Sequence, residues 1–131
     1  MIFVDTGAWY AGVVERDENH PRAKAWLEQN NQRLCTSDYI VDETLTLLRA
    51  RGHLQTAIDL GSMLVTARAA ALFHVDVADV REAWNIFRNF QDKQWSFTDC
   101  TSMAVMRRLK IRQAFSFDQH FRQFGTVEVV P

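Results

Sequence analysis

The sequence predicts an α/β fold, one domain built on a central, mostly parallel sheet of four to five strands flanked by helices. Three observations carry this. Short apolar, β-rich runs alternate with helical segments along the whole chain. Two acids, Asp5 and Asp118, stand directly after such runs, and open parallel sheets bind ligands at the carboxyl ends of their strands. The length of 131 residues, 47% of them hydrophobic with nine Phe and four Trp, suffices for one core and leaves little room for a second.

The first element is the apolar run Ile2 to Val4, closed by Asp5 and read as a buried strand. Thr6-Gly7 opens a helix over Ala8 to Val14. A second helix runs from about Pro21 to Asn30, with proline in its first turn, where a missing N–H does no harm. Arg33 to Thr36 is the second strand. Ser37 then fits an N-cap for a helix continuing to Ala50, and Gly52 fits its C-terminal cap. His53 to about Ala67 is a further helix, Leu72 to Val77 the third strand, and Ala78 to about Asn89 a helix again. After a loop at Gln91 to Ser96, a helix starts at Thr98 or Asp99 and ends near Lys110. Gln113 to Phe117 is the fourth strand, ending in Asp118. A helical turn, Gln119 to Phe124, precedes Gly125 and a final strand, Val127 to Val130. No repeat, linker or compositionally biased stretch interrupts this order.

A net charge of −1 counts mildly against nucleic acid, unless the basic residues share one surface or the acids are neutralised by metal. Cys35 and Cys100 form no C-x-x-C pair. The start, Met-Ile-Phe-Val-Asp, lacks the basic n-region of a secretory signal, and no apolar run approaches a membrane span. The expectation is a cytoplasmic protein with reduced thiols and no membrane contact.

The carboxylates carry the chemistry. Asp5 and Asp118 close apolar runs, Asp99 lies in Ser96-Phe97-Thr98-Asp99-Cys100 at a helix start, and Glu43 lies in the helix after the second strand. Taken singly, each Asp is explained as a cap or first-turn residue, and Glu43 as a solvated helix residue. Together they suggest more, because a charge beside a buried strand is costly unless paired or bound to metal. Acids gathered at a sheet edge make an oxygen-only site, which hard cations such as Mg²⁺ or Mn²⁺ favour. No Cys/His spacing suggests zinc, and His20, His53, His74 and His120 read as structural or surface residues. Periodicity does not separate Glu43 from Asp42. Ile40, Val41, Leu45, Leu47 and Leu48 mark the buried face, and the two acids lie about 120° and about 140° from its centre.

With these residues in place, the chain resembles the PIN-domain nucleases, in particular the toxin half of VapBC toxin–antitoxin pairs. Four segments carry the resemblance: Ile2-Phe3-Val4-Asp5-Thr6, Thr36 to Leu48 around Asp42-Glu43, Ser96-Phe97-Thr98-Asp99-Cys100-Thr101-Ser102, and Ala114-Phe115-Ser116-Phe117-Asp118-Gln119-His120-Phe121. They occur in the family's order and spacing across nearly the whole chain. The resemblance implies a single PIN-like domain over residues 1–131, with Asp5, Glu43, Asp99 and Asp118 around the metal, and it favours Glu43 over Asp42. It assigns Thr6 and Thr98 to hydroxyl positions that orient the site or its water. It implies a Mg²⁺- or Mn²⁺-dependent endoribonuclease toxin, with RNA as substrate, a VapB-type antitoxin as partner and a homodimer as its assembly. The alternative is a catalytically silent PIN-like module that binds a partner.

Two other folds with an acid after the first strand fit poorly. A haloacid-dehalogenase-like phosphatase needs a second Asp where Gly7 stands, and a receiver domain lacks its neighbouring acids and its later Lys. The basic run Arg107, Arg108, Lys110 and Arg112 reads as a solvated helix end suited to the dipole. Trp95 reads as core, with base stacking as the functional alternative.

Overall fold

Five short strands, β1 (Ile2–Val4), β2 (Leu34–Ser37), β3 (Ala71–Phe73), β4 (Gln113–Phe115) and β5 (Glu128–Val130), form one parallel sheet in a computed structural model that describes residues 1–131. Their order is β3-β2-β1-β4-β5. The chain steps outward from β1 to β3, then crosses back to lay β4 on the other side of β1. Strand order therefore reverses at β1, and the crevice at its C-terminal end lies where such sheets take ligands.

Seven helices connect the strands: α1 (Thr6–Val13), α2 (His20–Gln29), α3 (Asp38–Ala50), α4 (Leu54–Val65), α5 (Val77–Asn89), α6 (Phe97–Leu109) and α7 (Gln119–Arg122). They cover both faces of the sheet. β1 and β4 pair Phe3 with Ala114 and Val4 with Phe115, so Phe3 and Phe115 point to opposite faces. Trp26 of α2 stacks on Phe115 at 4.2 Å between ring centroids, and Phe121 of α7 stacks on Phe3 at 6.4 Å. β1 is sealed on both sides: Ile2, Phe3 and Val4 are at most 1% exposed. Gly61 lets α4 lie close to α3, since a Cβ there would stand 3.2 Å from Leu45 Cδ1. Gly52, at φ +81°, makes the left-handed turn after α3.

Two strands are shorter than the sequence suggests. Apolar alternation carries the third as far as Val77, but β3 stops at Phe73. Asp38 takes the Val75 N–H at 2.9 Å, and Asp76 caps α5 in a reciprocal capping box with Asp79. Likewise β4 stops at Phe115 and not Phe117, because the chain turns at Ser116 to let Asp118 cap α7. Helix ends move by a residue or two; α4 closes at Val65 rather than Ala67, and α7 at Arg122 rather than Phe124.

Two of the four residues in the basic run are paired, while Lys110 and Arg112 are exposed as the sequence suggests. Arg107 pairs with Glu82 at 3.0 Å. Arg108 grips buried Asp79 with two nitrogens, Nε to Oδ1 at 2.9 Å and a terminal nitrogen to Oδ2 at 2.8 Å. The two arginines tie α6 to α5. Burial pushes the Asp79 carboxyl up, but the hydrogen bonds and charge of Arg108 outweigh it and hold the group below its ordinary range. Trp95 is core, with its indole N–H donated to Gln123 at 3.1 Å. Cys35 and Cys100 are buried free thiols, each pushed up to about 11 by that burial. No helix is long and apolar enough to cross a membrane.

Arg108→Met leaves Asp79 buried without its cation and is expected to lower stability by about 2 kcal/mol in urea unfolding. The loss should shrink as pH falls through the carboxylate range, where the paired Asp79 no longer contributes. A variant as stable as the parent at pH 7 would show that the pair is incidental.

Candidate functional site

The site forms where the C-terminal ends of β1 and β4 meet the starts of three helices. Asp5 leaves β1 and caps α1, its Oδ1 accepting the Ala8 N–H at 2.9 Å. Its other oxygen accepts the Ser116 hydroxyl at 2.5 Å, and its N–H reaches the Phe115 carbonyl at 3.3 Å. The Ser116 hydroxyl in turn accepts the Asp118 N–H at 3.0 Å. One buried serine thus fixes the acid after β1 and the backbone of the acid after β4.

Asp118 caps α7, with Oδ1 accepting the His120 N–H at 2.9 Å. Asp99 occupies the third position of α6 in a capping box with Ser96. Its Oδ2 accepts the Ser96 N–H at 3.0 Å, and its own N–H goes to the Ser96 hydroxyl at 3.0 Å. The same Oδ2 lies 3.1 Å from His120 Nδ1. Glu43, on α3, accepts the Thr6 hydroxyl at 2.5 Å through Oε1.

Asp5, Thr6, Glu43, Asp99 and Asp118 line one cavity of about 340 Å³, walled also by Gly7, Ile40 and Leu47. Glu43 faces it while Asp42 is exposed to solvent, which separates the two acids that periodicity left equivalent. Thr98 stands outside the cavity wall, and its carbonyl accepts the Thr101 hydroxyl at 2.7 Å.

The electrostatics follow from the burial of Asp5, which is 4% exposed. Burial raises its pKa, the hydrogen bonds from Ser116 and Ala8 oppose the rise, and the charges of Asp118 and Asp99 add to it. The carboxyl is left at about 7 against an ordinary 3.8. A site in this condition accepts positive charge. Hydrogen bonds occupy Glu43 Oε1, Asp99 Oδ2 and Asp118 Oδ1, and leave one oxygen of each acid for another partner. Ligand atoms of Asp99, Asp118 and His120 come within 4.8 Å of one another. A donor set this rich in carboxylate oxygen suits a hard divalent cation.

Two of these residues escape a reading of the sequence. Ser116 sits between two phenylalanines, and the signal was present: a lone hydroxyl in a run that must be buried needs a partner. His120 read as structural or surface, yet it touches Asp99; only the turn of α7 brings it there. His20, bonded to the Ala11 carbonyl, is structural, and His74, beside Asp38, lies at the surface.

The raised Asp5 carboxyl has a measurable consequence when divalent cations are chelated. Between pH 3.8 and about 7 the folded protein holds a proton that the unfolded chain has released, so stability falls as pH rises through that window. Asp5→Asn removes the penalty and should raise unfolding stability at pH 8 by about 3 kcal/mol, while flattening the slope between pH 4 and 7. An unchanged slope in the variant would locate the titrating group elsewhere.

The chain is also similar to proteins already described. A family model for the PIN domain matches residues 2–127. Over all 131 residues the chain is 34% identical to the protein named 23S rRNA-specific endonuclease VapC20 in two strains of Mycobacterium tuberculosis, spanning 99% of that protein. The crystal structure of Mycobacterium tuberculosis VapC20, described as a Sarcin-Ricin loop cleaving toxin, superposes with a TM-score of 0.92 at 32% identity over the full length of both chains. FitAcB from Neisseria gonorrhoeae shares the fold, with a TM-score of 0.74 at 16% identity over 100% of this chain and 97% of the other.

Proposed function

The chain belongs to the PIN domain family, and from that premise we propose that it is a Mg²⁺- or Mn²⁺-dependent endoribonuclease, the toxin of a toxin–antitoxin pair, acting in the cytoplasm. The observation that carries the reading is the convergence of Asp5, Glu43, Asp99 and Asp118, from four separate segments, on one cavity at the switch point of the sheet.

The four carboxylates would hold the ion, with His120 beside Asp99 and Asp118. A divalent ion supplies Lewis-acid polarisation of the scissile phosphate and a water of lowered pKa. Thr6 holds Glu43 in place, and Ser116 holds Asp5 and the Asp118 backbone. Whichever of Glu43, Asp99 and Asp118 is not fully engaged by the ion would accept the attacking water's proton. Thr98, in the first turn of α6 beside Asp99, would help orient the site or its water through its hydroxyl.

The substrate proposed first is the sarcin–ricin loop of 23S ribosomal RNA, on the strength of the full-length relative that carries that activity in its name. The partners proposed are an antitoxin protein and a second copy of the chain. Apolar surface is available to both: Trp84 and Phe87 of α5 are 53% and 44% exposed, and Ile58 and Val65 of α4 are 55% and 64% exposed.

Purified protein with Mn²⁺ is expected to cut an RNA hairpin carrying that loop and to stop on addition of chelator. Asp99→Asn should lower cleavage at least about 100-fold, the scale of losing support for a metal, with an unchanged unfolding midpoint in the presence of chelator. Cleavage that survives in a folded Asp99→Asn protein would remove the site from this cavity. Absence of any cleavage by the parent protein, with its fold intact, would leave a silent binding module.

Trp84→Glu is expected to weaken self-association in sedimentation experiments without loss of fold. An unaltered association constant would place the contact between copies elsewhere.

A further inference from the structure

We infer that Arg22 is a substrate-binding residue, holding a backbone phosphate of the RNA beside the bond to be cut. The inference rests on the nuclease reading above and adds to it a cationic side chain outside the acidic cavity.

Arg22 lies in the first turn of α2 and is exposed. It has no carboxylate partner, whereas Arg107 and Arg108 are taken by Glu82 and Asp79. Its guanidinium carbon sits 5.3 Å from the centroid of the Phe117 ring. That ring is half-buried and set edge-on to Phe115 at 5.6 Å, and Phe115 stacks on Trp26, one turn after Arg22 on the same helix. The guanidinium is therefore fixed from two directions, by the backbone of α2 and by a ring anchored in the core. Phe117 leads directly into Asp118, which lines the cavity. A positive group is thus held on the residue that immediately precedes one acid of the site.

The chemistry of that placement points to phosphate. Four carboxylates repel an approaching phosphodiester, and a cation at the rim offsets the repulsion on the substrate side. A guanidinium with its face on an aromatic ring keeps its edge donors free, and those donors match phosphate oxygens in pairs. Contact with backbone carries no sequence information and contributes affinity that weakens with salt. Arg22 would serve to seat the RNA, leaving the choice of target to loop shape.

The test uses full-length protein with Mn²⁺ and a labelled RNA hairpin over a series of KCl concentrations. Arg22→Ala is expected to raise KM about tenfold with kcat within about twofold, and to reduce the slope of log affinity against log salt by about one. Mn²⁺ binding by titration should not change. Arg22→Lys should restore the salt slope but only part of the affinity, and Phe117→Leu should fall between parent and Arg22→Ala. Hairpin binding by fluorescence anisotropy in the Asp99→Asn background gives the same comparison without turnover. An unchanged KM and slope in Arg22→Ala overturns the inference, as does a fall in kcat at constant KM, which would mean that Arg22 acts through the position of Asp118. Salt-dependent binding without cleavage by the parent protein sinks the nuclease reading alone; a parent protein that neither binds nor cuts sinks both.

Discussion

Burying a carboxylate at the end of the central strand of a parallel sheet sets the conditions for everything around it. Asp5 is shut in by the layers that cover β1 on both faces, and water cannot solvate its charge. The Ala8 N–H and the Ser116 hydroxyl supply two hydrogen bonds, and the neighbouring Asp99 and Asp118 work against them. Such a group rests either protonated or beside a cation. The surroundings are consistent with the second state: Thr6 steadies Glu43, His120 touches Asp99, and Glu43, Asp99 and Asp118 each keep an oxygen uncommitted.

Helix capping and metal binding are often offered as rival explanations of an aspartate. In this fold the same side chains serve both. Asp5 and Asp118 cap α1 and α7, and Asp99 closes the capping box of α6. Each cap is worth about 1 kcal/mol. The cap also sets the rotamer of its acid, so the helix starts do the aiming. Three helix N-termini at one place bring partial positive charge to an otherwise acidic cavity. The loop from Ser116 to Asp118 joins the two roles, since one hydroxyl receives the Asp118 N–H and is donated to Asp5.

Much of this was legible in the sequence, for identifiable reasons. Ile2-Phe3-Val4 before an acid is a pattern that few structures other than a buried strand explain, and Ser37 marked the start of α3. The reading overran to Val77 and Phe117, where apolar residues continue past the strand while Asp76 and Asp118 already cap the next helix. Glu43 and Asp42 lie almost equally far from the centre of the apolar face, on opposite sides of the helical wheel, and what separates them is a contact with Thr6 from another element. The resemblance to a family named four acids that line one cavity but gave no role to Ser116 or His120. Arg108 looked like a helix-end cation because its partner Asp79 is distant in sequence and buried only by the docking of α5 on α6.

The hydrogen bond between Ser116 and Asp5 joins residues near opposite ends of the polypeptide. β4, which carries one of them to the other, is the fourth strand in a chain of five and pairs only with β1 and β5. A nascent chain still lacking this strand can build β1, β2 and β3 with their helices, yet it has neither Ser116 to tether Asp5 nor Asp118 to complete the cavity. The cavity is therefore complete only once β4 and the turn after it have docked on β1.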